Sequence, residues 1–238
     1  MSALHSLLQN PAIWRGDEPA RVALPGIPTG FAALDAELPG GGWPRGMVGE
    51  LLTERHGIGE LSLLMPALAR LSQQEGWLVL VAPPWIPYAP ALAAHGVRLS
   101  RLIVASTASD RDTWWAAEQS LRAGNCPAVL AWPSAISEQG LRRLQLAAEE
   151  GGSFGVVFGE AVRAVIPSPA PLRLRLGVHR DRLSVTILKR RGSGRTPTLW
   201  LDADPSRASL PVQVLNHGGH GEHGEHGARQ NHAMTAIA

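Results

Sequence analysis

Residues 53–63 read Thr53-Glu-Arg-His-Gly-Ile-Gly-Glu-Leu-Ser-Leu63. Val48 to Leu52 before them reads as a short strand, and from about residue 60 to 75 the spacing predicts a helix. Strand, glycine-bearing loop and helix in that order is the setting of a phosphate-binding loop, G-x-x-x-x-G-K-[ST]. Gly57 and Gly59 fall within it, but Glu54 stands at the first glycine, Glu60 at the lysine and Leu61 at the Mg²⁺-binding hydroxyl. A carboxylate about 4 Å from a phosphate charge costs roughly 1–4 kcal/mol where an ammonium would attract it. The single lysine of the chain, Lys189, lies far downstream. The motif predicts the architecture of a nucleotide-binding domain without its catalysis.

Outward from this loop the chain alternates. Thr29–Leu38 predicts a capped helix with Phe31, Leu34 and Leu38 on one side, followed by a turn-rich loop, Pro39–Gly46. Trp77–Ala82, Leu102–Ala105, Ala128–Trp132 and Phe154–Phe158 are continuous apolar runs, the pattern of strands buried on both faces. Helical stretches at 89–95, 110–123 and 137–149 separate them, which implies right-handed crossovers on a mostly parallel sheet. After Pro167 the pattern changes. Leu172-Arg-Leu-Arg-Leu176 alternates strictly and Arg182–Leu188 nearly so, predicting an antiparallel hairpin with one wet face within residues 170–195. The expected layout is an N-terminal helix and linker over 1–26, a core over 27–205 and a disordered Gly/His-rich tail over 206–238.

The 238 residues are 45% apolar and 18% charged, enough for one sizeable α/β domain with tails. No apolar run reaches the roughly 18 residues that span a bilayer. The first residues have no basic start and no long apolar stretch, so no signal peptide is expected. One cysteine, Cys126, excludes an internal disulfide and a multi-cysteine zinc site, and its setting predicts a small buried hydrophobe. These features point to the cytoplasm. The tail spacing of His217, His220, His223 and His226 could bind a metal in vitro, but ordering so many glycines opposes it and no metal site is assigned. Ser134 and His179 have no visible triad partner.

The net charge of +2 is unevenly placed: residues 1–169 sum to −3, whereas residues 170–210 sum to +6. Arg173, Arg175, Arg180, Arg182, Lys189, Arg190, Arg191 and Arg195 concentrate on the predicted hairpin and the Gly-containing loop after it. Arginine forks and close-approaching glycines suit a phosphate chain or an acidic protein surface. Trp85, in a proline-rich loop, and Trp114 or Trp115, neighbours on a helix that cannot share one core stripe, are expected partner-surface residues.

Thr29-Gly-Phe…Leu34-Asp35, Leu38-Pro-Gly-Gly-Gly-Trp-Pro-Arg-Gly46 and the spacing to the loop at 53–61 resemble the RecA recombinase family. Within it, Pro83-Pro-Trp-Ile-Pro-Tyr-Ala-Pro90, Trp132-Pro-Ser134 and Leu188-Lys-Arg-Arg-Gly192 are most similar to the ImuA family. The resemblance implies a RecA-like P-loop fold with a degenerate nucleotide site and a C-terminal antiparallel hairpin. The Walker B acid would fall at Trp132, and the water-activating acid near Pro83 or Pro84, so the resemblance implies a pseudo-ATPase without cofactor. It further implies an adaptor in SOS-induced translesion synthesis. Its partners would be an inactive Y-family polymerase homologue (ImuB), a DnaE-type error-prone polymerase and RecA, with non-specific DNA contact through the basic hairpin. Some members of that family are described as SulA-like cell-division inhibitors, which gives an alternative function. A weak recombinase-like ATPase is the other alternative.

Overall fold

The computed structural model describes residues 25–179, 182–191, 198–202 and 234–236. The expected N-terminal helix and most of the His-rich tail, including the four histidines of the metal question, lie outside the described residues; residues 234–236 of that tail form a strand instead.

Five α-helices and nine strands occur among the described residues. In chain order they are α1 (Ala32–Glu37), β1 (Met47–Thr53), α2 (Glu60–Ser72), β2 (Leu78–Val81), α3 (Ala89–Ala94) and β3 (Leu102–Ala105). Then come α4 (Asp110–Arg122), β4 (Ala128–Ala131), α5 (Glu138–Gly151), β5 (Phe154–Glu160), β6 (Leu172–His179), β7 (Arg182–Lys189), β8 (Thr198–Asp202) and β9 (Met234–Ala236). A 3-10 segment, Ala161–Val165, follows β5. The sheet order is β8-β7-β6-β1-β5-β4-β2-β3-β9. Strands β3 through β6 in that order run parallel. The β6–β7–β8 meander and β9 are antiparallel. The mixed α/β sheet, mostly parallel with a C-terminal antiparallel hairpin, is therefore as the sequence predicts. Strands β8 and β9 were not foreseen, and β9 lies in the stretch expected to be disordered.

The apolar runs follow from two-sided burial. Leu78, Leu80 and Leu130 join a core with Leu63, Leu64, Leu68 and Leu71 of α2. Val79, Val81, Val129 and Ala131, one residue out of phase, join a second core with Ala117, Leu121, Leu141 and Leu144 of α4 and α5. Alternate side chains point to opposite faces, so every position in such a strand is apolar. The hairpin has only one such neighbour: Leu172, Leu174, Leu176, Leu183, Val185 and Ile187 all belong to the α2-side core.

Helix ends are written locally. Ser109 caps α4 by accepting the Asp112 amide at 3.2 Å and donating to its carboxylate at 2.8 Å. Ser137 caps α5 through the Gly140 amide at 3.1 Å. Gly140 also lets α4 and α5 approach, since a methyl there would stand 2.7 Å from the Trp114 ring. Cys126 is buried, and burial pushes its thiol pKa up.

Candidate functional site

The parallel strands all end at one edge of the sheet, where ligands meet open α/β folds. A cleft of about 740 Å³ opens there. Its walls come from the ends of β2, β4 and β5 and the segments that follow them, including Ala82, Pro84, Trp132, Phe158, Glu160 and Arg163.

The loop between β1 and α2 borders the cleft through His56. Gly59, at φ 105°, precedes α2 in the left-handed region that favours glycine. The Glu60 side chain turns back on the loop: its carboxylate accepts the Gly57 amide at 2.7 Å and the Ile58 amide at 2.9 Å. Backbone amides at a helix start form an anion site. Here those two amides hold the chain's own carboxylate, 5% exposed. Leu61 packs against the α2-side core, and Glu54 points outward to pair with Arg175 at 3.0 Å.

Trp132, at the sequence position expected for an acid, stacks on Phe158 with ring centroids 4.3 Å apart and planes within 2°. It is 8% exposed, and its Nε1 has no hydrogen-bond partner among the described residues. Ala82, the one non-glycine with positive φ among the described residues (51°), stands beside it. Such backbone conformations cost of order 1–3 kcal/mol and gather at functional sites. Asp110 accepts the Ser134 amide at 2.7 Å, the Ser134 hydroxyl at 3.0 Å and the Ala135 amide at 2.9 Å. Burial pushes the Asp110 carboxyl up, but the bonds from Ser134 and Ala135 outweigh it and hold its pKa below the usual value. Ser134 is thus a bracing residue for this wall.

The basic hairpin differs from expectation at its first member. Arg173 and Arg175 share a strand face by alternation, yet Arg173 is 5% exposed. Its Nε donates to Glu50 at 2.5 Å, and its guanidinium also donates to the carbonyls of Ile166 at 2.9 Å and Arg163 at 2.8 Å. It is a buried strut that ties the 3-10 segment to β1, and is removed from any docking surface. The cause is that segment, which covers this part of the sheet where no helix does. Arg190 is half-buried and bound by the carboxylate and backbone carbonyl of Glu37. Lys189 donates to the Ser168 carbonyl at 2.8 Å, and Arg182 to the Trp200 carbonyl at 3.1 Å. Arg175, Arg182, Lys189 and Arg191 are exposed; Arg180 and Arg195 lie outside the described residues.

Of the predicted tryptophans, Trp85 is 49% exposed and its ring meets His56 edge-on at 5.9 Å. Trp115 is 60% exposed, whereas Trp114 is wedged against α5. Sequence reasoning missed the apolar projections after β5: Val162, Val165 and Ile166 are 67%, 89% and 42% exposed. The signal was an apolar run, Val162-Arg-Ala-Val-Ile166, following a strand without a helical or strand period.

Residues 46–155 match the family described as "Cell division inhibitor SulA". That span contains β1 to β4, α2 to α5, the loop and most of the cleft wall. Over 131 residues the chain is 30% identical to the cell division inhibitor SulA of Serratia proteamaculans, covering 55% of this chain and 78% of that protein. The chain belongs to the SulA family. SulA of Yersinia enterocolitica is 30% identical over 113 residues, 48% of this chain and 67% of the relative. The crystal structure of SulA from Pseudomonas aeruginosa aligns with a TM-score of 0.41 at 24% identity, covering 48% of this chain and 98% of that one. Beyond the matched span this SulA-family chain continues into β6, β7 and β8. No helix among the described residues is long and apolar enough to cross a membrane.

Proposed function

We propose that this chain is a non-enzymatic docking protein of the SOS response in the cytoplasm, acting first as a SulA-like inhibitor of cell division. The relatives' own description, cell division inhibitor, carries that reading. Its partner would be the tubulin-like septation protein. What supports the non-enzymatic part is the loop: Glu60 occupies the Gly57 and Ile58 amides, Leu61 cannot bind Mg²⁺, and Trp132 has no carboxylate to offer. A nucleotide would have to displace a buried carboxylate and then lie beside it.

The second reading is an ImuA-like adaptor of translesion synthesis, meeting an inactive Y-family polymerase homologue, a DnaE-type polymerase and RecA. One observation favours it. Strand β6 lies parallel beside β1 and continues into β7 and β8, all beyond the span matched to SulA. A loop-bearing strand flanked on both sides by parallel neighbours suits a RecA-like P-loop architecture. The exposed Arg175, Arg182, Lys189 and Arg191 would then supply non-specific DNA contact, which strengthens as salt falls.

Binding of the purified chain to the septation protein and to the polymerase homologue, measured side by side with septation-protein polymerisation, separates the two. Inhibited polymerisation supports the first reading. Capture by the polymerase homologue alone transfers the function to the second. Turnover of ATP–Mg²⁺ by the chain would overturn both.

A further inference from the structure

The two edges of the sheet are formed in different ways. Strand β8 ends the β6–β7–β8 meander at one edge. At the other stands β9, with residues 203–233 between it and β8. Without β9 the edge strand would be β3, Leu102-Ile-Val-Ala105. It contains neither a charge nor a proline, the devices that blunt an edge. Ile103 and Val104 pack against the two cores yet stay partly exposed, while their register partners in β2, Val79 and Leu80, are each 2% exposed. An apolar edge of this kind presents unpaired amides and carbonyls to any extended chain that reaches it.

Strand β9 takes up those groups. It runs antiparallel to β3 and pairs Ile103 with Ala236, Val104 with Thr235 and Ala105 with Met234. Three pairs lie at the short end of strand lengths, so the ladder is weak by itself. Its advantage is the tether, which supplies an effective concentration of about 1 mM or less. The two edges stand roughly 40 Å apart at about 4.8 Å per strand, and residues 203–233 at roughly 3.3 Å each reach well beyond that. A short tethered strand yields to an incoming strand that brings a longer ladder. The family match adds a second observation: β3 lies inside residues 46–155 matched to SulA, and β9 lies outside them. The edge belongs to the shared domain and its cover to the extension of this chain.

We infer that β9 is a built-in cover: in the free protein it occupies the β3 edge, and the docking partner adds an extended, uncharged strand of its own there after displacing it. This rests on the docking reading and gives that function an internal brake. Recognition would be strand addition, in which main-chain hydrogen bonds supply the affinity.

The test uses the full chain. Thr235→Pro combined with Ala236→Pro unseats β9: successive amides of a strand point to opposite sides, so one of the two prolines removes an amide facing β3. Val104→Cys combined with Thr235→Cys, at a register pair, locks β9 in place when oxidised and frees it when reduced. Thr235→Val keeps the strand and serves as control. The probe is a labelled peptide of residues 230–238, followed by fluorescence anisotropy. The double-proline variant should bind it saturably and at least tenfold more tightly than wild type or Thr235→Val. The whole partner, septation protein or polymerase homologue, should bind the double-proline variant about tenfold more tightly than wild type, and should lose the oxidised lock and regain it on reduction. Equal peptide binding by the wild type and a cooperatively folded double-proline variant overturns the cover. Partner binding that neither the prolines nor the lock alters overturns strand addition and leaves the docking function standing. Absence of partner binding by every form overturns the docking reading itself, and the brake falls with it.

Discussion

The sheet has two halves that meet where β1 pairs with β6, and they are built on different terms. From β3 across to β5, helices cover both faces, and nearly every strand side chain is buried in one of two cores. From β6 to β8 the α2-side face is covered; the other, apart from Arg173 beneath the 3-10 segment, carries Arg175, Ser184, Thr186 and Trp200. The two-faced half holds the SulA match and the cleft walls. Its side chains leave little freedom, so function gathers at the strand ends. The one-faced half leaves a broad polar surface whose cations are mostly engaged by the chain itself.

The seam is where the comparison breaks most sharply. Arg173→Ala would leave Glu50 buried without its counter-ion and free the Arg163 and Ile166 carbonyls. Removing one member of a buried pair costs about 3–5 kcal/mol. Urea unfolding should report that loss, and a loss below about 1 kcal/mol would mean that water reaches Glu50 and the seam is not sealed. Next comes a truncation inside the two-faced half. Leu130→Ala, at a fully buried central strand, should cost about 2–5 kcal/mol by the same measurement. Thr186→Val on the open face of β7 should stay within about 0.5 kcal/mol. If the two changes cost the same, the distinction between the halves fails.

These differences decide what was legible. Strands buried on both faces announce themselves as unbroken apolar runs, and Trp77–Ala82 and Ala128–Trp132 were placed almost to the residue. Leu172–Leu176 declared its single wet face by alternation. Alternation cannot tell which wet position a neighbour covers, so Arg173 read like Arg175. Only the tertiary placement of residues 161–166 separates them. Glu50 inside an apolar strand was the available hint of a buried counter-ion. At the loop, the sequence reports that Glu60 replaces a lysine. It does not report that the carboxylate folds back onto Gly57 and Ile58, which takes geometry. The cleft was least legible, because Trp132 Nε1 and Arg163 Nε lack partners, and absence of a partner has no sequence pattern.

A smaller effect tests the cleft wall through pH. Asp110 is held below its usual pKa by Ser134 and Ala135, so its bonds contribute stability above the unfolded value of 3.8. That contribution is lost as pH falls through the lowered folded value. Asp110→Ala should therefore be less stable than wild type at neutral pH, with the gap closing in acid below 3.8. Thermal unfolding of both proteins over a pH series gives the answer. A gap that persists at low pH would mean that Asp110 acts through packing rather than as an acceptor of three bonds.

The smallest effect belongs to the open half. Arg175 and Glu54 pair at 3.0 Å with side chains 48% and 71% exposed. Exposed pairs contribute about 0–1 kcal/mol and weaken in salt. Arg175→Ala should barely move the unfolding midpoint, and should move it less at high ionic strength. The same variant also sharpens the functional comparison. If the one-faced half contacts a polyanion, losing Arg175 lowers the salt slope of oligonucleotide binding by about one unit while leaving stability alone. If it does not, neither quantity changes, and the cations of β6 and β7 are a solvated face of the sheet.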